Sequence, residues 1–456
     1  MKQTLLMIVL EILGTFGIVV GGPFLAVAVY YLFAVLRPQF LWQWALPPGI
    51  GWSEYPAIAA ALGLVLYTFG VVPIDGRRQP TFLGLSPTHL AFLAFGTWTS
   101  LTYVTASNQA VSWPWLLEYL KIVTMFFIAA LVIRTFTEVW ILYLVATLPL
   151  LYVAYEVNSL YVFQGRLDIY HRGYGGLDNN GAALMLAMAI PLALNAWEGI
   201  RSRWRWLFVA SIPFILHAVL LTYSRGAMVS LLAVTPVLIW RSSRRRQFIA
   251  VTMLLAAMLP FLAGREIRQR FFSVAQYQED QSAESRFSSW SAAFHIANDY
   301  PIFGVGIRNA NLFSYRYGAD IENRTIHSQY LQILADEGYV GLLLYLFVLG
   351  NFFLGARRMR RALRTRADGD TARLLAMVNG LEASLAVFCV GGLFLSLEVF
   401  ELPYLIVLIA AQTFVLPLPG VARTAVAPAR TSAWDPARAT VQTAFSLPST
   451  ASPFRR

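Results

Sequence analysis

The chain has 456 residues, of which 57% are hydrophobic, 14% aromatic and only 13% charged. A soluble domain carries roughly a quarter charged residues, so this composition excludes an ordinary soluble enzyme and predicts an all-α, polytopic membrane protein. The net charge of +11 is no sign of nucleic-acid binding, because the arginines cluster in short connections between apolar runs and no nucleic-acid motif accompanies them.

Residues 5–36 are almost continuously apolar, interrupted at Gly21-Gly22-Pro23. Further apolar segments lie near 56–73, 87–104, 115–133, 138–155, 179–196, 206–222, 226–240, 247–263, 338–355, 374–396 and 402–417. Each approaches the ~20 residues that span a bilayer, which predicts about twelve transmembrane helices. The first run lacks a small-residue cleavage site before a polar region and is expected to be a retained anchor. Cys389 is the only cysteine, so neither an internal disulfide nor a cysteine metal cage is expected.

Charge sets the orientation. "RSRWR" (201–205), "RSSRRR" (241–246) and "RRMRRALRTR" (357–366) carry arginines with few acids, which assigns them, and "PIDGRRQ" (73–79), to the cytoplasm. Alternation then puts 156–178, the short turn 223–225 and the long segment 264–337 outside. An odd number of spans before residue 56 would leave the N-terminus inside, which suits Lys2. The expected organisation is a membrane-embedded unit, 1–417, that includes the outer loop 264–337, followed by a tail, 418–456. That tail is rich in Pro, Ala, Thr, Ser and Arg without apolar periodicity, the composition of a disordered basic cytoplasmic extension.

The outer loop is more than a linker. In "SAESRFSSWSAAFHIANDYP" (282–301) Phe287, Trp290, Phe294 and Ala297 fall on or near one helical stripe, and Pro301 follows the end. "PIFGVGI" (301–307) reads as a glycine turn, and "NRTIHSQYLQIL" (323–334) leads into the next span. Short amphipathic helices on the outer membrane surface are therefore expected, capping a cavity at the lipid–water boundary.

His327 stands at the mouth of that span. A neutral imidazole can take a proton from a hydroxyl, although a histidine that only caps or hydrogen-bonds has the same appearance in sequence. His89, His171, His217 and His295 have no better claim individually. Arginines strengthen the case for His327. In "LLTYSRGAMVSLL" (220–232), Arg225 lies in a turn too short to be a solvated loop, where a guanidinium needs an anion, a salt bridge or a route to water. Arg286 sits beside Glu284 on the amphipathic stretch, where an ion pair is the simple alternative. Two arginines facing one cavity with a histidine would suit a pyrophosphate, because the guanidinium fork matches phosphate oxygens. In "HRGYGGLDNNGAALMLAMAIPLAL" (171–194), Asp178, Asn179 and Asn180 directly precede an apolar helix. One of them is expected to cap it; contact with sugar hydroxyls or with Arg172 is the further expectation. There is no HExxH, paired-His or DxD pattern and no Walker A loop, so neither a metal-dependent mechanism nor an ATP-driven pump is expected, and no cofactor.

"YSRGA", "ESRFSSWSAAFHIANDYPIFGVGI" and "HSQYLQILADEGYVGLLLYL" resemble the superfamily of bacterial O-antigen ligases and O-antigen polymerases. "LRPQ" (36–39) and "DNNGAALMLAMAIPL" bring the chain nearest to exosortase-associated O-glycosylation ligases. The resemblance extends from about residue 20 to 400. It implies a GT-C-like membrane fold of about twelve spans with a large periplasmic loop, in the bacterial inner membrane. The implied activity is metal-independent transfer of a glycan from undecaprenyl diphosphate to an acceptor hydroxyl in the periplasm, on lipid A core, a polysaccharide or a protein. The essential histidine of the family maps onto His327 and its two essential arginines onto Arg225 and Arg286. Where exosortase-linked members often have "GEHG", this chain has "ADEG" (335–338). The alternatives are a polymerase of the same superfamily and, from another class, a polysaccharide flippase or exporter.

Overall fold

Hydrophobic runs in a chain with so few charges satisfy their backbone groups internally, and helices do this without help from neighbours. The computed structural model describes residues 2–71, 84–164, 169, 173–242, 244–262, 281–365, 369–397 and 399–417. Its longer helices are α1 (Lys2–Phe16), α2 (Pro23–Leu36), α3 (Glu54–Thr68), α4 (Pro87–Thr102), α5 (Gln109–Val132), α6 (Phe136–Gln164) and α7 (Asn179–Gly199). They continue with α8 (Arg205–Leu221), α9 (Arg225–Arg241), α10 (Arg245–Leu262), α11 (Gln281–Asp299), α12 (Gln329–Arg364), α13 (Gly369–Gly391) and α14 (Glu401–Val415). No strand occurs among the described residues. The all-helical expectation is met. The expected tail 418–456, together with His171 and Arg172, lies outside the described residues.

Among the described residues, six helices are long and apolar enough to cross a membrane: Pro23–Leu41, Gln109–Val132, Phe136–Phe163, Asn179–Gly199, Gln329–Arg364 and Asp370–Gly391. Shorter apolar helices, among them Glu54–Thr68, Arg205–Leu221 and Glu401–Val415, pack between them. The centre is α7. Its run of small residues, "NNGAALMLAMAIPLALNAWEG", is buried on nearly every side, and α13, α8, α9 and α6 pack around it. Small side chains let helix backbones approach closely where no hydrophobic effect drives association.

Two faces of the bundle differ sharply. On one, Arg241 at the end of α9 and Arg360 near the end of α12 both pair with Glu382 of α13, with Arg241 Nη1 2.9 Å from Glu382 Oε2. The other face carries the turn 222–225, the start of α7 and the outer loop. Thr4 Oγ1 donates to the Ala45 carbonyl at 2.8 Å, so the start of α1 lies beside the connection that follows α2. The break at 21–23 separates α1 from α2, and of this region only Pro23–Leu41 is, among the described residues, long and apolar enough to cross a membrane.

α12 departs from expectation. Gly338 interrupts it with φ 73° and ψ −176°. The rings of Tyr330 and Tyr345 are only 6.1 Å apart, whereas fifteen residues of straight helix would separate them by about 22 Å. The chain therefore folds back at Gly338, and 329–337 forms an inner arm running alongside the top of the span. A side chain at Gly338 would collide with the Ile302 carbonyl, and the Tyr339 N–H donates to Pro301 O at 2.8 Å, so glycine is required there.

Candidate functional site

The inner arm, 329–337, about 13 Å of helix, brings His327 down from the bend. Its lower end is docked firmly. The Gln329 N–H donates to Gly392 O at 2.7 Å, Gln329 Oε1 accepts from the Leu397 N–H at 2.6 Å, and the Tyr330 hydroxyl donates to Cys389 O at 2.8 Å. His327 is thus recessed against the end of α13, with a left-handed backbone (φ 55°).

The same 392–397 turn reaches the other candidate elements. Phe394 packs on Gly226, the residue after Arg225, and Leu397 packs on Gly181 in the first turn of α7. α7 and the 222–225 turn are also tied directly. Asn179 Nδ2 donates to Thr222 O at 3.2 Å, and Ser224 Oγ donates to Asn180 Oδ1 at 2.8 Å. Asp178 caps α7, its Oδ1 accepting from the Gly181 N–H at 2.7 Å. All three expected polar residues therefore make contacts within the protein: one caps the helix, and two fix the turn that opens α9 with Arg225. The N-termini of α7, α9 and the inner arm of α12 gather in one locality, and each helix start carries a partial positive charge.

α11 closes the site from the outer loop. Ser289 Oγ donates to Ile326 O at 3.1 Å, next to His327. Arg286, one turn earlier, shares that face of the helix. Behind it Ala293, Ile296, Val305, Ala310, Ile326 and Ala335 form a small core of the loop, packed by Trp290, Phe313, Tyr317 and Leu331. The expected stripe is corrected here. Trp290 and Ala297 face inward, but Phe287 and Phe294 are about half exposed, because the helix packs closely through Ala292, Ala293 and Ile296 instead. Glu284 is exposed in the first turn of α11.

Electrostatics around His327 are mixed. Burial pushes the imidazole down to about 4, and the Arg286 and Arg324 guanidiniums push the same way, against the carboxylates of Asp178 and Asp320. The ring is neutral at neutral pH, and its Nδ1 is enclosed without a partner among the described residues. His89 and His217 have local explanations: His89 completes the capping box of α4 with Ser86, and His217 is hydrogen-bonded to Asn158.

Arg225 also stands at one end of an apolar cavity of about 490 Å³ between α7, α8, α9 and α10, lined by Leu194, Leu220, Met228, Leu231 and Phe248 among others. The geometry therefore joins a guanidinium to a lipid-like interior on one side and lies beside the recessed imidazole's docking turn on the other.

Sequence reasoning missed Asp336. This carboxylate is fully buried and accepts from the Arg308 N–H (2.8 Å), the Ala310 N–H (2.7 Å) and Gln332 Nε2 (2.7 Å), which organises the turn 301–310. Its neighbour Glu337 accepts from Thr99 at 2.9 Å. Two adjacent acids and a glycine inside an apolar helix were the available signal. In place of "GEHG", the "ADEG" of this chain is a structural hinge.

Helices of this length and apolarity, with a polar site sunk among their ends, define a multi-pass membrane protein. Residues 206–346 match the family model described as O-Antigen ligase, Wzy_C, and the match assigns this part of the chain to the O-antigen ligase superfamily. It runs from α8 through Arg225, Arg286 and His327 to the span after the bend. The matched stretch is thus similar to membrane enzymes of ligase or polymerase type in polysaccharide biosynthesis. No curated protein matches the chain.

Proposed function

We propose that the protein transfers a glycan from undecaprenyl diphosphate to an acceptor hydroxyl on the periplasmic side of the inner membrane. The observation that carries this reading is the recessed, neutral His327, with Arg286 acting on it, beside the turn that opens α9 with Arg225 at the end of an apolar cavity. In this reading the isoprenoid takes the cavity and the diphosphate lies at the gathered helix N-termini. Arg225 and Arg286 hold its oxygens and stabilise the charge that develops as it leaves. His327 accepts the proton of the acceptor hydroxyl as its oxygen attacks the anomeric carbon. The bond from that carbon to the diphosphate oxygen breaks, which implies inversion. A diphosphate departs readily, so a base and a phosphate clamp suffice without a metal or cofactor.

About twelve spans, a periplasmic 264–337 loop and a cytoplasmic 418–456 tail complete the proposal, with the arginine-rich face toward the cytoplasm. Arg172 and Glu284 are proposed as supporting contacts to the glycan, beside Asp178, Asn179 and Asn180. A polymerase would use the same site with a lipid-linked glycan as acceptor. Deletion separates the two readings: full-length chains left on the carrier indicate a ligase, shortened chains a polymerase. Purified protein, a defined lipid-diphosphate glycan and no energy source test transfer itself. Turnover is expected, and its loss in His327→Ala. Full activity of that variant removes the base role, and transport without bond formation removes the enzyme reading.

A further inference from the structure

On the face opposite His327, two guanidiniums share one aromatic ring. Arg205, the first residue of α8, and Arg244, just before α10, each lie 5.3 Å from the centroid of Trp197 near the end of α7. Arg205 lies equally close to Trp206. Cation–π attraction holds each of them there, but two like charges on one indole repel. Among the described residues, the charged side chain that bears on Arg205 is Arg244. The carboxylate next along α7, Glu198, accepts from the Ser242 hydroxyl, and the Arg244 guanidinium reaches Gln247 at 3.4 Å.

The local deficit is entirely of acceptors. Trp197 is 2% exposed, and its indole N–H is enclosed with no acceptor among the described residues; Arg205 Nε is in the same condition. Enclosed donors without partners cost free energy that an incoming acceptor recovers. Elsewhere on this face the fold supplies such an anion itself, as Glu382 does for Arg241 and Arg360. At Trp197 no such anion is present among the described residues. Beside the pair, Trp204, Trp206 and Leu207 are 65%, 58% and 51% exposed, an apolar surface with indoles suited to the headgroup level of a bilayer.

We propose that Arg205, Arg244 and Trp197 form a headgroup site for an anionic phospholipid. The phosphate diester supplies oxygens to the guanidiniums and the indole N–H, and the acyl chains lie along Trp206 and Leu207. A free phosphate would meet the donors but leave the exposed indoles without a role. The site is separate from the donor site and does not depend on it.

The test uses full-length protein in nanodiscs containing phosphatidylglycerol and phosphatidylcholine, with retained lipid counted by native mass spectrometry after delipidation. The wild type is expected to retain phosphatidylglycerol selectively. Arg205→Gln/Arg244→Gln is expected to lose that preference by about twentyfold, from roughly fivefold for each cation near an anionic surface. Arg357→Gln/Arg358→Gln, an exposed basic pair on α12, is expected to keep it. Equal losses in both variants, or no loss in the first, overturn the proposal. So does displacement of the lipid by millimolar inorganic phosphate, which marks a bare anion site. Should the double variant fail to fold, Trp197→Phe decides: it keeps the ring, removes the N–H, and is expected to lower the preference severalfold, whereas unchanged retention refutes the site.

Discussion

The acid limb of the transfer rate tests the state of His327 directly. With its imidazole pushed down to about 4, about 97% of the free enzyme carries a neutral ring at pH 5.5, against about 10% for an unperturbed histidine. The acid limb of kcat/KM, which reports free enzyme, is expected near pH 4 and not near 6.5. A bound diphosphate adds negative charge beside the guanidiniums that now disfavour protonation. The limb of kcat, which reports the donor complex, is therefore expected at higher pH than that of kcat/KM. Arg286→Gln removes one of the cations and should move the kcat/KM limb upward while lowering the rate. Stability follows from the same shift. The unfolded imidazole takes its proton first as pH falls, so folding loses free energy from about pH 6.5 down to 4, by roughly 3 kcal/mol in all, and none above that window. The assay is initial-rate transfer from a lipid-diphosphate glycan between pH 4 and 8, with thermal unfolding over the same range. A wild-type kcat/KM limb at 6.5, or coincident limbs for kcat and kcat/KM, refutes a buried imidazole held neutral by burial and flanking cations.

Other perturbations probe the framework of the site. Gly338→Ala forces a side chain into the Ile302 carbonyl at a left-handed backbone. Transfer should fall steeply while protein is still produced, and normal activity would mean that the bend does not hold His327 in position. Asp336→Ala leaves three donors without their acceptor, costing about 3 kcal/mol or more; hydrogen exchange should rise over 301–310, and unchanged protection there would contradict the anchor. Glu382→Gln removes the carboxylate shared by Arg241 and Arg360, with an expected loss of 3–5 kcal/mol, the usual scale for a broken buried pair, in detergent unfolding. Arg225→Lys keeps the charge but not the fork, so turnover should fall by an order of magnitude or more, and an unimpaired variant argues against a phosphate clamp.

Much of the protein was legible before any coordinates. Hydrophobic run length and scarce charge determine a helical membrane protein, because the bilayer leaves the backbone few other solutions. The arginine-rich connections mark one face, and the residue types of His327, Arg225 and Arg286, with the motifs around them, nominate the chemistry. The tertiary structure decided where these residues go. The sequence reads 323–334 as leading directly into the 338–355 span, since a reversal at Gly338 depends on one backbone angle and on contacts with Pro301 and Ile302 far off in the chain. Asn179 and Asn180 tie α7 to the 222–225 turn, and Asp336 organises the turn 301–310, through partners distant in sequence. Composition and period are local properties that a single chain segment carries by itself. A site made of three helix ends and a folded-back arm exists only through long-range packing, which no one segment encodes.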